Sequence, residues 1–502
     1  MAAGRSSRDL TQGPVFGHLL RLLIPMSAGI VAMMLVGVVD AYWVGKLGTA
    51  EQAAVQFVFP VSMLVMSVAI GLGSGAASVV ARAAGRGDDD RTKRVATDAV
   101  TLSLIIVGIV SAIGIAVIDP VFRAMGASEA MMPHVRDYMT IWFAGIVFVV
   151  GPMVASNILR ALGDAIVPSL IMIGGAVINM ILDPLFIFGF GPIPALEVQG
   201  AAIATLVSNM IVFVVAMAVL IVREKIIDLS WPGFDEILWN WREIARVGAP
   251  AAGSNTLGPI TNTAVLAAVA GFGEAAVAGV GVGMRVEAFF LIPLFALSGS
   301  IGPVTGQNGG AGAVARVREA YAKSFLFCAA WGLGVGVLLF FIGDYLAPLF
   351  MPSQDGQAVA ETYWDIAPFA VFGYGVAMAA SAGFNGLGRP LLGVAVNAAR
   401  GLLLIIPLAW AGGQIAGTAG VIWGMFAGNL IVGIGAAIFV LRFAPLTAIG
   451  VTPRKTRAPA PDAPGEAPEP SRASPAMAYT NTDPDTPVTP PAKPGRNAPS
   501  SD

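Results

Sequence analysis

Charge is scarce in this chain. Only 12% of its 502 residues are Asp, Glu, Lys or Arg, against about 25% in a soluble globular protein, and 56% are apolar. The mean hydropathy of +0.77 averages over a polar C-terminal stretch as well. Such a composition excludes an ordinary water-soluble domain and points to a chain that crosses a membrane many times. Cysteine is limited to Cys328, and histidine to His18 and His134. That excludes a disulfide framework, a histidine-cysteine zinc cluster and a haem-attachment motif. The net charge of −2 excludes a basic nucleic-acid binder. Carboxylates, amides and hydroxyls are what remains for chemistry.

What is present is apolar sequence in long runs. The run from Leu19 is too long for the core of a cleaved signal peptide and is expected to be the first span. About 20 apolar residues cross the hydrocarbon as a helix. That window predicts twelve spans, at about 19–44, 54–81, 95–118, 137–160, 167–190, 200–222, 244–271, 276–306, 320–343, 363–385, 391–411 and 418–442. Basic residues alternate between the connections. With the N-terminus inside, the inner loops collect Arg82, Arg86, Arg91, Lys93, Arg94, Arg160, Arg223, Lys225, Arg242, Arg246, Arg316, Arg318, Lys323 and Arg389, whereas the outer loops hold Lys46, Arg123 and Arg136. Positive loops stay in the cytoplasm, so a multi-pass plasma-membrane protein with both termini cytoplasmic is expected. From about Thr452 a Pro, Ala, Ser and Thr mixture, "PRKTRAPAPDAPGEAPEPSRASP", reads as a disordered tail.

Shifting the chain against itself by 225 residues superposes Pro25 on Pro250, Gly48 on Gly273, Ala53 on Ala278, Gly85 on Gly310, Gly87 on Gly312 and Arg91 on Arg316. The same shift carries Tyr138 onto Tyr363, Ser156 onto Ser381, Leu162 onto Leu387 and Gly163 onto Gly388. The expected organisation is therefore a cytoplasmic N-terminus (1–18), a six-helix bundle (19–222), a cytoplasmic linker (223–243), a second six-helix bundle (244–445) and the tail (446–502). Six is even, so both bundles enter from one side, related by an axis along the membrane normal. Two such bundles facing one another form a transporter plan.

Several segments carry a resemblance. "IPMSAGIVAMMLVGVVDAYWVGKLGTAEQAA", "LRALGDAIVP", "NMILDPLFIFGFG", "VQGAAIATLVS" and "GPVTGQNGGAG" resemble signatures of the multidrug and toxic compound extrusion (MATE) transporters, over residues 15–445. The resemblance implies an all-α, twelve-helix antiporter that expels organic compounds in exchange for sodium ions or protons. One branch of the family, the NorM type, carries acids on the first and fourth helices of its C-terminal half. Here the span 244–271 has none and 363–385 has only Asp365, at its edge, so the better match is to DinF-like members, whose coupling acids sit in the N-terminal half.

A carboxylate at the bilayer centre costs about 2.5–3.5 kcal/mol on insertion scales, so each one calls for a reason. Asp40 and Asp183 fall at similar depth, Asn179 lies one turn before Asp183, and Thr205 of the sixth span reaches the same level. Four such oxygen ligands suit sodium, and two neighbouring acids equally suit a shared proton. The 225 shift places Val265 and Leu408 opposite these acids, so the ionisable site is not expected to repeat. Arg285, Glu287 and Arg400 are also intramembrane and are expected to form inter-helix salt bridges, with direct substrate contact as the other reading. Met33, Met34, Met63 and Met180 are flexible thioethers that suit a cavity repacking around varied ligands. Pro25 is a hinge candidate. Gln307 and Asn308 read as a cap or gate, and "GDDD" followed by "RTKR" (87–94) as a solvated charge run.

The function expected is export of organic, cationic and amphipathic compounds by a monomer in the bilayer. Protons or sodium ions would be the coupling species, with no other cofactor and no nucleic acid. Without a Gly-x-x-x-x-Gly-Lys-Ser/Thr run an ATP-driven pump is disfavoured. The rival within the superfamily is a lipid-linked oligosaccharide flippase, which wants a cationic cavity that only Arg285 and Arg400 could furnish. An integral membrane enzyme is the reading from another class.

Overall fold

The computed structural model describes residues 9–448 other than 48, 130, 192, 193 and 229, and for 49–56, 198 and 444–448 it describes the backbone alone. The tail from 449 onward and residues 1–8 therefore lie outside the described residues. The described chain is all-helical apart from its connections. Its long helices are α1 (Val15–Gly45), α2 (Thr49–Gly85), α3 (Asp89–Ala116), α4 (Met132–Ala161), α5 (Ile166–Ile187), α6 (Glu197–Ala218) and α7 (Phe234–Ala270). They continue as α8 (Glu274–Phe290), α9 (Ile292–Gly310), α10 (Val314–Phe350), α11 (Gln354–Ile366), α12 (Val371–Gly386), α13 (Pro390–Ala398) and α14 (Ile406–Ala448). Among the described residues nine helical stretches are long and apolar enough to cross a membrane, or ten if α8 and α9, bent by 48° at their junction, count as one span. This is an integral-membrane fold. The twelve windows are not all separate in it. The last two run together as Pro390–Phe443, interrupted only where Ala416 and Gly417 leave helical geometry.

Local chemistry starts and stops these helices. Asp88 caps α3 by accepting a hydrogen bond from the Arg91 amide, and Asp89 and Asp90 occupy the first turn, where the helix dipole favours negative charge. The turns before α3 and α10 need a left-handed residue, which glycine supplies without strain. Gly87 has φ 71° and Gly312 φ 72°, and these two are partners under the 225 shift.

The helices pack so that the first helices of the two halves cross over. α1 lies on α9 and α2 lies along α7. Gly71 and Gly75 let α2 approach the α7 backbone at Gly248 and Ile244 so closely that a Cβ would meet their carbonyls. At the end of the molecule that carries most of the basic connections, a Cβ on Gly85 would run into the Gln307 carbonyl and one on Gly310 into the Arg82 carbonyl. The 225 shift exchanges those two contacts. A Cβ on Gly306 would lie 2.7 Å from that of Ala81, its own partner under the shift, so a pseudo-twofold axis passes between α2 and α9. Separate buried clusters fill the two sides, one around Val79, Val154 and Leu159 and another around Val269, Leu339 and Trp364.

Candidate functional site

The first constellation is built by α1, α5 and α6. Asp183 and Asn179 are one turn apart on α5 and both buried. The Asn179 amide nitrogen donates to Asp183 Oδ1 at 3.4 Å and to Thr205 Oγ1 at 3.5 Å. Asp40, half-buried near the end of α1, brings its carboxyl group within interaction range of that of Asp183. Two buried carboxyl groups this close repel when both are charged, so the arrangement suits the sharing of one proton. Asp40 Oδ1, Asp183 Oδ2 and Asn179 Oδ1 are buried with no partner, which is costly in a medium without water. The spacing of Asp40, Asn179, Asp183 and Thr205 in the sequence thus becomes one cluster of oxygens. Sequence reasoning did not place Tyr138 there. It stands on α4 within the field of both acids, and its match to Tyr363 was the available signal. Among the described residues no group of three or more His, Cys, Asp or Glu side chains could hold a metal ion.

In the second bundle the charged groups are partnered differently from expectation. Val265, opposite Asp40 under the shift, is a core residue. Yet an ionisable cluster is present, supplied by other positions. Glu287 of α8 accepts a hydrogen bond from the Tyr363 hydroxyl at 2.8 Å. Arg400, in a π-helical stretch Ala399–Ile405, stacks 4.3 Å over the Tyr374 ring and donates to Asn429 Oδ1 at 3.1 Å. The inter-helix salt bridges expected of Arg285, Glu287 and Arg400 are not among the ion pairs of the described residues. Tyrosine hydroxyl, ring and amide take the place of counter-charges. Arg285 is exposed.

Gln307 and Asn308 are structural ties. Gln307 accepts from the Leu10 amide at 3.0 Å and donates to the Ala161 carbonyl at 2.7 Å, while Asn308 donates to the Leu10 carbonyl at 3.0 Å. In the "GDDDRTKR" run Asp88, Asp89 and Asp90 are exposed, as expected of a solvated charge run, while the basic end turns inward. Arg94 forks onto Asp98 at 2.6 and 3.2 Å, both buried, and Arg91 binds Glu243 at 2.9 Å. Met33 and Met63 are exposed on the helix surfaces, and Met34 and Met180 are half-buried. Pro25 lies inside α1.

A family model for MatE matches the chain twice, at residues 25–185 and 250–411; the two matches begin 225 residues apart. A "FAD transporter" of Shewanella oneidensis is 34% identical over 430 residues, 86% of this chain and 95% of that protein. The "Probable multidrug resistance protein YpnP" of Bacillus subtilis is 26% identical over 71% of this chain and 79% of its own. Among solved structures, the MATE transporter VcmN of Vibrio cholerae in its bent form superposes with a TM-score of 0.81 at 25% identity, covering 89% of this chain and 99% of that one. An outward-facing multidrug resistance MATE transporter gives 0.80 at 28% identity, over 88% and 98%. The chain is a membrane efflux transporter and not an enzyme, and it belongs to the MatE family.

Proposed function

We propose that this chain is a secondary-active antiporter of the DinF-like branch that exports organic compounds in exchange for protons, with Asp40 and Asp183 as the coupling pair. The observation that carries this reading is the meeting of the Asp40 and Asp183 carboxyl groups beside the Asn179 amide, where one oxygen of each of the three side chains is buried without a partner. A proton leaves such a dyad when a positive charge or water reaches it and returns when the site closes, which couples two fluxes without a nucleotide. Asn179 and Thr205 orient Asp183, and sodium is the competing ion for the same oxygens. Pro25 is placed to let α1 bend and carry Asp40 toward or away from Asp183. The methionines Met33, Met34, Met63 and Met180 offer adaptable surface for the cargo.

The chain crosses the membrane twelve times in this reading. The long last stretch divides at Ala416 and Gly417, the bent α8 and α9 make one crossing, and α7 makes another despite its lower hydropathy. The bundles are 19–222 and 244–445, joined by the cytoplasmic linker 223–243, with both termini in the cytoplasm and a monomer as the working unit. The double family match and the exchange of contacts at Gly85 and Gly310 support the paired bundles.

Cationic amphipathic compounds suit the acidic first bundle. A second cargo, flavin adenine dinucleotide, is supported by the likeness to the Shewanella protein over nearly its whole length. Purified protein in liposomes tests both. Uptake of ethidium or of the dinucleotide should follow an imposed pH gradient, and Asp183→Asn or Asp40→Asn should reduce it to the level of empty liposomes. Drive by a sodium gradient alone would move the coupling to sodium at the same residues. Full gradient-driven transport in both variants would sink the coupling role.

A further inference from the structure

We propose that Arg400 and Tyr374 form a subsite in the second bundle for a planar aromatic cargo that bears an anionic group. This rests on the efflux reading above and names the chemistry that one part of the second bundle selects. Arg400 is the group that needs explaining. A guanidinium carries five donors in a rigid fork, and inside a membrane bundle such a charge is ordinarily paired. Here its polar partner is the neutral amide of Asn429, at 3.1 Å, and its flat face rests 4.3 Å over the Tyr374 ring. Among the described residues no carboxylate reaches it within ion-pair distance. Glu287 lies near enough to act on it through space, but the Glu287 carboxyl is occupied by the Tyr363 hydroxyl at 2.8 Å. The fork is therefore left with donors for an external anion, and guanidinium matches carboxylate and phosphate oxygens in pairs.

The surroundings supply a flat wall. Phe295 meets Tyr374 edge to face, with ring centroids 6.4 Å apart and planes at 83°, and Phe295 is exposed. An aromatic cargo stacking there adds dispersion to the charge contact. Arg400 sits in the π-helical stretch Ala399–Ile405, a rare backbone form that is frequent at functional sites. Gly401 seats that stretch against Thr261 of α7, where a Cβ would collide with the hydroxyl.

The 225 shift sharpens the assignment. Tyr363 has its counterpart in Tyr138, but Arg400 falls on Gly175, Tyr374 on Val149, Asn429 on Ala204 and Glu287 on Ser62. The tyrosine belongs to the repeated scaffold and the charged groups do not. One bundle carries a carboxyl pair, and the other an arginine on an aromatic ring with a single carboxyl nearby, so the two bundles differ in their charged groups.

Fluorescein, a planar aromatic dianion, and ethidium, a planar aromatic cation, serve as probes, bound to purified full-length protein in lipid nanodiscs and read by fluorescence anisotropy. The parent should bind fluorescein in a salt-sensitive manner. Arg400→Gln should weaken that binding by about tenfold or more, the worth of a charge-assisted hydrogen bond, and leave ethidium binding unchanged. Arg400→Lys should retain part of it, because the charge stays while the fork is lost. Glu287→Gln keeps an acceptor for Tyr363 but removes the nearby negative charge, so it should tighten fluorescein binding. The subsite is refuted if the parent does not bind fluorescein, if Arg400→Gln binds it as the parent does, or if that variant loses both probes alike. Loss of gradient coupling is read separately with Asp183→Asn, which should still bind fluorescein. Failure of the proton reading thus leaves this result standing, and failure here leaves that one.

Discussion

Asp98 shows what a single carboxylate does in this membrane. It is buried on α3, receives two nitrogens of Arg94 and accepts from Asn240 of α7 at 2.7 Å. A paired, hydrogen-bonded buried charge is tolerated, and removal of one partner strands the other. Asp98→Ala should therefore lower unfolding stability by about 3–5 kcal/mol, measured by detergent-induced unfolding of the purified protein. Arg94→Met combined with Asp98→Leu should recover most of the loss, since no orphaned charge remains. A double variant as unstable as the single would show that the ion pair itself, and not the avoided orphan, carries the stability. Residues of this kind were poorly legible in the sequence. Arg91 reads as part of a polar loop because its α7 partners, Asn240 and Glu243, lie about 150 positions away. Asp40, Asn179, Asp183 and Thr205 were legible, because a carboxylate inside an apolar window stands out and helical spacing brings Asn179 beneath Asp183. Tyr138 and the Glu287–Tyr363 bond were not, since they depend on which faces of α4, α8 and α11 turn inward.

For helices the governing feature is how closely α2 and α9 approach at the basic end. The contacts are backbone against backbone at Gly85 with Gln307 and at Gly310 with Arg82. Ser78 ties the same end of α2 to α12 by donating to the carbonyls of Asn385 and Gly386, and Arg82 ties it to α7 by an ion pair to Glu243 at 3.0 Å. The helices are in tight contact at this end. A side chain at Gly85 must push α9 away, because the obstacle is a carbonyl and not a flexible side chain. Gly85→Val should thus favour states open at this end. The readout is alkylation of Ser78→Cys in a Cys328→Ser background, since Cys328 is the one native thiol and is buried. The introduced thiol should be protected with Gly85 and should react with a maleimide in Gly85→Val. Equal protection in both would mean that the contact tolerates the added bulk. Element existence was readable from apolar windows, and the repeat from matched glycines such as Gly87 with Gly312, whose left-handed backbone explains the match. The 48° bend between α8 and α9 and the merging of the last two windows were not, because periodicity carries no information on how one helix leads into the next.

At the scale of the whole molecule the two halves hold each other by equivalent clasps. Arg91, at the start of α3 in the first half, reaches across to Glu243 at the start of α7, with Asn240 at 3.4 Å. Its partner under the 225 shift, Arg316 at the start of α10, reaches across to the segment before α1, binding the Gly13 carbonyl at 2.8 Å and the Leu10 carbonyl at 3.1 Å. Leu10 is almost wholly buried between them, so the first described residues are a strap on the second bundle. The clasps share geometry but not chemistry: one closes on a carboxylate, the other on carbonyls. Rocking of the bundles must release both. Coulomb attraction between partly exposed charges weakens with salt, whereas bonds to neutral carbonyls depend on it less. Arg91→Ala should therefore open the basic end most clearly at low ionic strength and approach the parent at high salt, while Arg316→Ala should open it to a similar degree at both. The same Ser78→Cys alkylation rate, taken at low and high salt, reads the difference. If the two variants respond to salt alike, the clasps are electrostatically equivalent and the asymmetry of charge between the halves does not extend to their junction.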